Sequence, residues 1–250
     1  RMAYNNAATR ARYEMHGGTL TLSDTTHSYF QVGRNGQAEF IHDGGVVSVY
    51  RANDALQVGA TATSNGLYAL SGTGVLNVFN HRTFVGQVSS ATGLFTVADD
   101  GEANFLKGLW LGYGDNATGT FRMDGGTVTV GNDVASSTRA LIVSGNQGSG
   151  TTRGTLDING GELRTNWITT LGDVAAFTWS GGTIRPYDGD LTISVLPVTL
   201  DGAGATFNSE QADTTPRTIT VSAAIGQTGG DWGLSKAGAG TLVLSAANTY

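Results

Sequence analysis

One phrase returns about every 27 residues along this chain, and no other feature constrains its fold as strongly. Aligned on a Gly-Gly or equivalent bend, Tyr13, Phe40, Tyr68, Phe95, Phe121, Leu156 and Phe177 fall in one column, at intervals of 27, 28, 27, 26, 35 and 21. The last two intervals together span two ordinary periods, so one loop has lengthened and the next has shortened. The polar stretch Gly145 to Gly150 is the expected place of the growth. Two positions on, Met15, His42, Leu70, Val97, Met123, Ile158 and Trp179 form a second column on the same strand face, because side chains in a strand alternate with period two. A Val-Gly-like phrase keeps step with both: Val32-Gly33, Val58-Gly59, Val85-Gly86, Leu111-Gly112, Val143-Ser144 and Leu171-Gly172.

Each unit reads as a strand running into a bend, a second strand such as Thr127 to Val130, and a third such as Leu109 to Leu111. A coil this thin cannot cover its own apolar side chains, so the coils above and below must do so, and repetition itself becomes the core. The expected fold is all-β, a parallel β-helix or β-solenoid with about 27 residues and three short strands per coil. Stacking at about 4.8 Å would make Tyr13, Phe40, Tyr68, Phe95, Phe121 and Phe177 an internal aromatic ladder. The competing barrel and propeller architectures need antiparallel hairpins, and propeller repeats run to about 40 residues or more.

Residues 1–183 carry the regular Gly-Gly-bend coils. The rhythm loosens over 184–250, where Pro186, Pro197 and Pro216 all lie, yet alternation persists in Thr218 to Val221 and Leu242 to Leu244. These read as irregular coils of the same solenoid, with a separate domain as the alternative.

Glycine fills 38 of 250 positions, about twice the usual share of roughly 7%. A chain that turns this often has a use for it. The formal net charge of −6 and the absence of a basic patch argue against nucleic acid as a partner. The absence of cysteine excludes disulfides, thiolate chemistry and cysteine-held metals. No run approaches the 18 or so apolar residues of a membrane-crossing helix, and the first residues have no signal-like apolar core, so any targeting signal is expected outside this chain.

The stretch "GLSKAGAGTLVLSAANTY", Gly233 to Tyr250, resembles the autotransporter-associated β-strand repeat. Lys236, Gly238, Gly240, Thr241, Leu242, Leu244, Asn248, Thr249 and Tyr250 occupy the places of that family's phrase. The resemblance implies a right-handed parallel β-helix, a location outside the cell or on the outer surface of a Gram-negative bacterium, and a scaffold or adhesive role within a longer passenger-like protein. It also implies a signal and often a membrane barrel beyond this piece. The expected partners are another copy of the chain, end to end into a filament or side by side, or a glycan or cell-surface ligand. No cofactor is expected.

Few residues carry a chemical signal. The position before the Gly-Gly bend holds His16, Asp43, Asp124, Asn159 or Ser180, a mixture selected by turn geometry rather than reactivity. Asp99 and Asp100 occupy the same bend. Asp188 and Asp190 offer oxygen ligands for calcium, but the calcium-binding nonapeptide repeat is absent, and no metal site is expected.

The period permits a sharper search, since residues one repeat apart sit on adjacent coils. Four positions before the Val-Gly-like anchor stand Asp54, His81, Lys107 and Arg139, the one row that a polysaccharide lyase or depolymerase could use, Asp54 orienting His81 and a cation neutralising a uronate. The bland reading is a solvated row of loop charges, and no catalytic site is assigned. One position before the same anchor stand Gln31, Gln57, Phe84, Trp110, Ile142 and Thr170. By alternation these point outward, so Phe84, Trp110 and Ile142 form a candidate binding stripe for a glycan ring or a partner chain, unless a loop such as 145–153 covers it. A flat threonine ladder of the ice- or mineral-binding kind is begun by Thr19, Thr21, Thr127 and Thr129 but broken by Val46, Val75 and Glu162.

Overall fold

Why two residue columns repeat is answered by the strand pairing. In the computed structural model, residues 10–23, 29–50, 54–132, 140–145, 150–194 and 196–250 are described. Phe95 lies beside Phe121 in parallel strands, and so does every other pair in the first column: Tyr13 with Phe40, Phe40 with Tyr68, Tyr68 with Phe95, Phe121 with Leu156 and Leu156 with Phe177. The result is a β-solenoid of about eight turns with no helix among the described residues.

A coil such as Asn65–Leu70, Val75–Val78 and Thr83–Val85 has three strands. Where the bend is Gly-Gly, the first two strands fuse into one bulged strand of 13 residues, as in Arg10–Leu22, Gln37–Val49, Thr118–Val130 and Arg153–Thr165. The register slips at that bulge, between Met15 and His16 and again between His16 and Thr19. The 13-residue strands and the shorter strands aligned with them build a 12-stranded sheet, and a separate set of three- and four-residue strands builds a nine-stranded sheet.

Both glycine phrases are corners. The second glycine of the bend has positive φ, +84° at Gly45, where a Cβ would sit 2.5 Å from the Gly18 carbonyl oxygen of the adjacent coil. The Val-Gly-like phrase turns the chain out of the short sheet with φ of 79°, 70°, 69° and 58° at Gly33, Gly59, Gly86 and Gly112. Ser144 takes the same conformation, φ 66°, at the place where that column holds serine.

The aromatic column is a ladder of stacked rings, with centroids 5.0 Å apart for Tyr13 and Phe40, 4.9 Å for Phe40 and Tyr68, 4.8 Å for Tyr68 and Phe95, and 5.5 Å for Phe95 and Phe121. Phe40, Tyr68, Phe95, Phe121 and Phe177 are buried, whereas Tyr13, on the first described coil, is 47% exposed with no ring stacked on its other face among the described residues. Rings from the other strands meet the ladder edge-on, Phe30 against Phe40 and Phe105 against Phe95, both at 5.3 Å.

The loop that grew lies elsewhere than expected. Three residues separate Phe105 from Leu109, but ten separate Val130 from Leu141, while the interval from Val143 to Arg153 is lengthened by only three. Most of the added chain therefore lies between residues 130 and 141, and Gly145 to Gly150 holds the smaller part. Beyond residue 183 the same two sheets carry on. Val198–Asn208 pairs with Val174–Arg185, and Leu191–Ile193, Thr218–Val221 and Thr241–Leu244 extend the short sheet.

One member of the inner columns is polar. His42 is fully buried, and its Nε2 lies 3.1 Å from the Gly45 carbonyl oxygen, which can only accept. Nε2 therefore carries the proton, and Nδ1 accepts from the buried Tyr68 hydroxyl at 3.0 Å. Both groups are satisfied only while the imidazole is neutral, and burial lowers its pKa from the ordinary value near 6.5.

The unfolded chain therefore takes up the proton first as pH falls below about 6.5. Stability contributed by this group is present above that pH and is lost below it. Exposed His16 has the opposite sign, raised by its hydrogen bond and charge contact with Asp43. We expect His42→Leu, which strands the Tyr68 hydroxyl, to lose about 1–3 kcal/mol at pH 7.5. Adding Tyr68→Phe should restore most of that loss. In urea titrations between pH 7.5 and 5 the double variant should lose less stability than the wild type, and equal losses would refute the assignment.

Candidate binding surface

The middle residue of the short-sheet strands from Phe30–Val32 to Leu141–Val143 points away from the core, as alternation requires, whereas in Trp167–Thr169 the register moves by one, so that Thr169 rather than Thr170 continues the row and Ile168 points inward. The outward residues do not form an exposed stripe. Phe84, Trp110 and Ile142 are 1%, 4% and 0% exposed and make a second apolar cluster, separate from the tube interior. Tyr113, two residues past Leu111, folds back over them with its ring 4.9 Å from Phe84 and 5.1 Å from Trp110. The Arg82 guanidinium lies over Trp110 at 5.3 Å, and the backbone at Gly145 closes against the same indole. The expectation of an exposed docking stripe is corrected: the loop residues Tyr113, Arg82 and Gly145 lie against these outward side chains and cover them.

On the two preceding coils the row changes character. Gln31 and Gln57 hold it there, 4% and 2% exposed, and Gln31 Nε2 donates to Gln57 Oε1 at 2.5 Å. The buried Gln31 Oε1 has no hydrogen-bond partner. Both line a cavity of about 270 Å³, together with Tyr29, Asp54, Gln87 and Tyr113 among others. Gln31 and Gln57 were visible in the sequence as members of the row, but only its apolar members were read as a site. Tyr29, Gln87 and Tyr113 lie in loops and carry no periodic signal.

The charged row is only partly brought together. Asp54 and His81 are adjacent: the Asp54 backbone N–H donates to His81 Nδ1 at 2.9 Å, and the Asp54 carboxylate lies 3.4 Å from the same nitrogen. Those two contacts compete for Nδ1. The shorter, directional one makes Nδ1 an acceptor, so its proton is on Nε2 and the Asp-oriented imidazole of a general base is not formed. The Asp54 carboxylate instead accepts from Gln87 Nε2 at 3.0 Å. Lys107 is exposed and makes no ion pair with either among the described residues. Arg139 lies outside the described residues.

The remaining candidates have structural roles. Asp99, φ 54°, caps a bend from which its carboxylate accepts the Gly72 N–H. Asp190 accepts the Thr218 N–H at 2.9 Å, and Asp188 accepts from the Asn166 side chain. No group of three metal-ligating acids or histidines occurs among the described residues. No helix there is long and apolar enough to cross a membrane.

A parallel β-solenoid with a cavity over its short sheet is thus the class of protein that fold and site define. The chain is similar to the adhesin BmaC autotransporter of Brucella suis biovar 1 (strain 1330), 26% identical over 99% of this chain. It spans 9% of that relative's length. No family model and no solved structure matches. The residues that resemble the autotransporter repeat nonetheless have clear places: Leu242 and Leu244 pair with Ile219 and Val221, Asn248 accepts the Ile225 N–H at 3.0 Å, and Thr249 bridges to Gly226.

Proposed function

We propose that this chain is a stretch of the adhesive, surface-displayed part of a larger autotransporter-like protein, outside a Gram-negative cell, with no enzymatic activity of its own. The observation that carries the reading is similarity along almost the whole chain to an autotransporter adhesin, joined to a solenoid whose stacked coils accommodate it end to end. Its work is reach and surface: coils of about 4.8 Å rise make a rod that holds side chains away from the cell.

Beads coated with the purified chain are expected to attach to cell or matrix surfaces more than beads coated with an unrelated acidic protein. Equal attachment counts against adhesion. End-to-end or lateral association of copies belongs to the same proposal. Negative-stain images of the purified chain should then show rods longer than one solenoid, and single short rods at every concentration would remove the filament.

A carbohydrate-active enzyme is the second reading, favoured by the contact between Asp54 and His81. It requires that His81→Ala abolish any cleavage of acidic polysaccharides. The acceptor role of His81 Nδ1 weighs against it.

A further inference from the structure

We propose that the cavity over Gln31 and Gln57 is a binding site for a neutral pyranose ring, the terminal or side-branch sugar of a surface glycan. This deepens the adhesive reading and rests on it for its biological use, though not for its chemistry.

Gln31 supplies the first argument. The residue lines the cavity and is 4% exposed, its N–H is committed to Gln57, and its buried Oε1 has no donor. A buried carbonyl oxygen left unmatched is destabilising, so a ligand that brings a donor to it gains there. A sugar hydroxyl is such a donor, and it accepts at the same time.

The second argument is the mixture of groups around that atom. The Asp54 carboxylate, only an acceptor, is held in the wall by Gln87, where it can take further hydroxyl donors. Tyr113 and Tyr29 add aromatic surface for the C–H faces of a ring, and Tyr113 is rigidly backed by Phe84 and Trp110. Amides, one carboxylate and aromatic rings in a small concave site match a polyhydroxylated ring rather than an apolar ligand. The lining holds one cationic residue, Arg34, and one anionic residue, Asp54, so the cavity carries no excess positive charge that would demand an acidic sugar. At about 270 Å³ the space is at the small end for ligand sites, fitting one sugar rather than a long chain.

The test uses the purified chain and a set of methyl pyranosides: glucoside, galactoside, mannoside, N-acetylglucosaminide and glucuronide. Saturation-transfer NMR and calorimetry are expected to find at least one neutral pyranoside bound in the range of about 0.1–10 mM, as befits a small open site. Gln31→Leu and Asp54→Asn should each weaken it about tenfold or more. Should Gln31→Leu fail to fold, Asp54→Asn, at a partly exposed position, carries the test.

The inference is overturned if no neutral pyranoside binds, if only the glucuronide does, or if both variants bind as the wild type does. Coated beads separate the two levels. Attachment that survives in both variants although pyranoside binding is lost removes the sugar site from adhesion and leaves adhesion standing, whereas pyranoside binding without attachment keeps the site and removes the adhesive reading.

Discussion

Phe95→Ala is expected to destabilise the solenoid by about 3–5 kcal/mol, the usual loss for an aromatic side chain removed from a closed core. Phe95 is fully buried, with Tyr68 stacked on one side, Phe121 on the other and the edge of Phe105 against it. Each ring in the ladder covers its neighbours, so the cavity would strip two coils at once.

The same column holds Leu156 between Phe121 and Phe177, which shows that a smaller aliphatic side chain fits the ladder. Phe95→Leu should therefore cost less than Phe95→Ala. Urea denaturation measures both. Hydrogen exchange supplies the sharper readout, because coils contact only their neighbours: loss of protection should centre on residues 65–70, 92–97 and 118–123 and fade along the rod. Uniform loss of protection across the chain would contradict a stack of locally held coils.

Gly86→Ala has the second large effect, about 2–4 kcal/mol, for a different reason. Gly86 has φ of 69°, and a Cβ built there overlaps the backbone carbonyl of Thr118 on the next coil. Alanine must pay for left-handed backbone and also push one coil away from another, straining the Gly86 N–H bond to the Val58 carbonyl. Gly17→Ala is the control, since no atom lies within 4 Å of its added methyl and its φ is not positive. A thermal melt should separate them clearly. Similar midpoints for the two variants would show that the corners are not the tight points of the coil.

The core was legible in the sequence because a solenoid writes its contacts as a period. Phe40, Tyr68, Phe95 and Phe121 stand one repeat apart and meet ring on ring. The corners were legible too, since a residue that must turn left-handed between stacked backbones is restricted in kind. What alternation could not convey was cover. Phe84, Trp110 and Ile142 point outward as their parity requires, yet Tyr113 and Arg82 from the flanking loops pack against them. Chain length in loops has no period, so neither the cover nor the cavity beside it was readable. The Asp54 and His81 pair was readable as a neighbourhood but not as chemistry, because the ring nitrogen that faces Asp54 is taken by a backbone N–H.

The parallel pairing of coil on coil bears on tension. Hydrogen bonds between coils run along the rod, and strands run across it, so a pull on the two ends loads all the bonds joining one coil to the next together. Breaking that junction requires many bonds to yield at once, whereas unwinding from a free end breaks them one by one. Such a rod is easier to peel from a free end than to part between two interior coils.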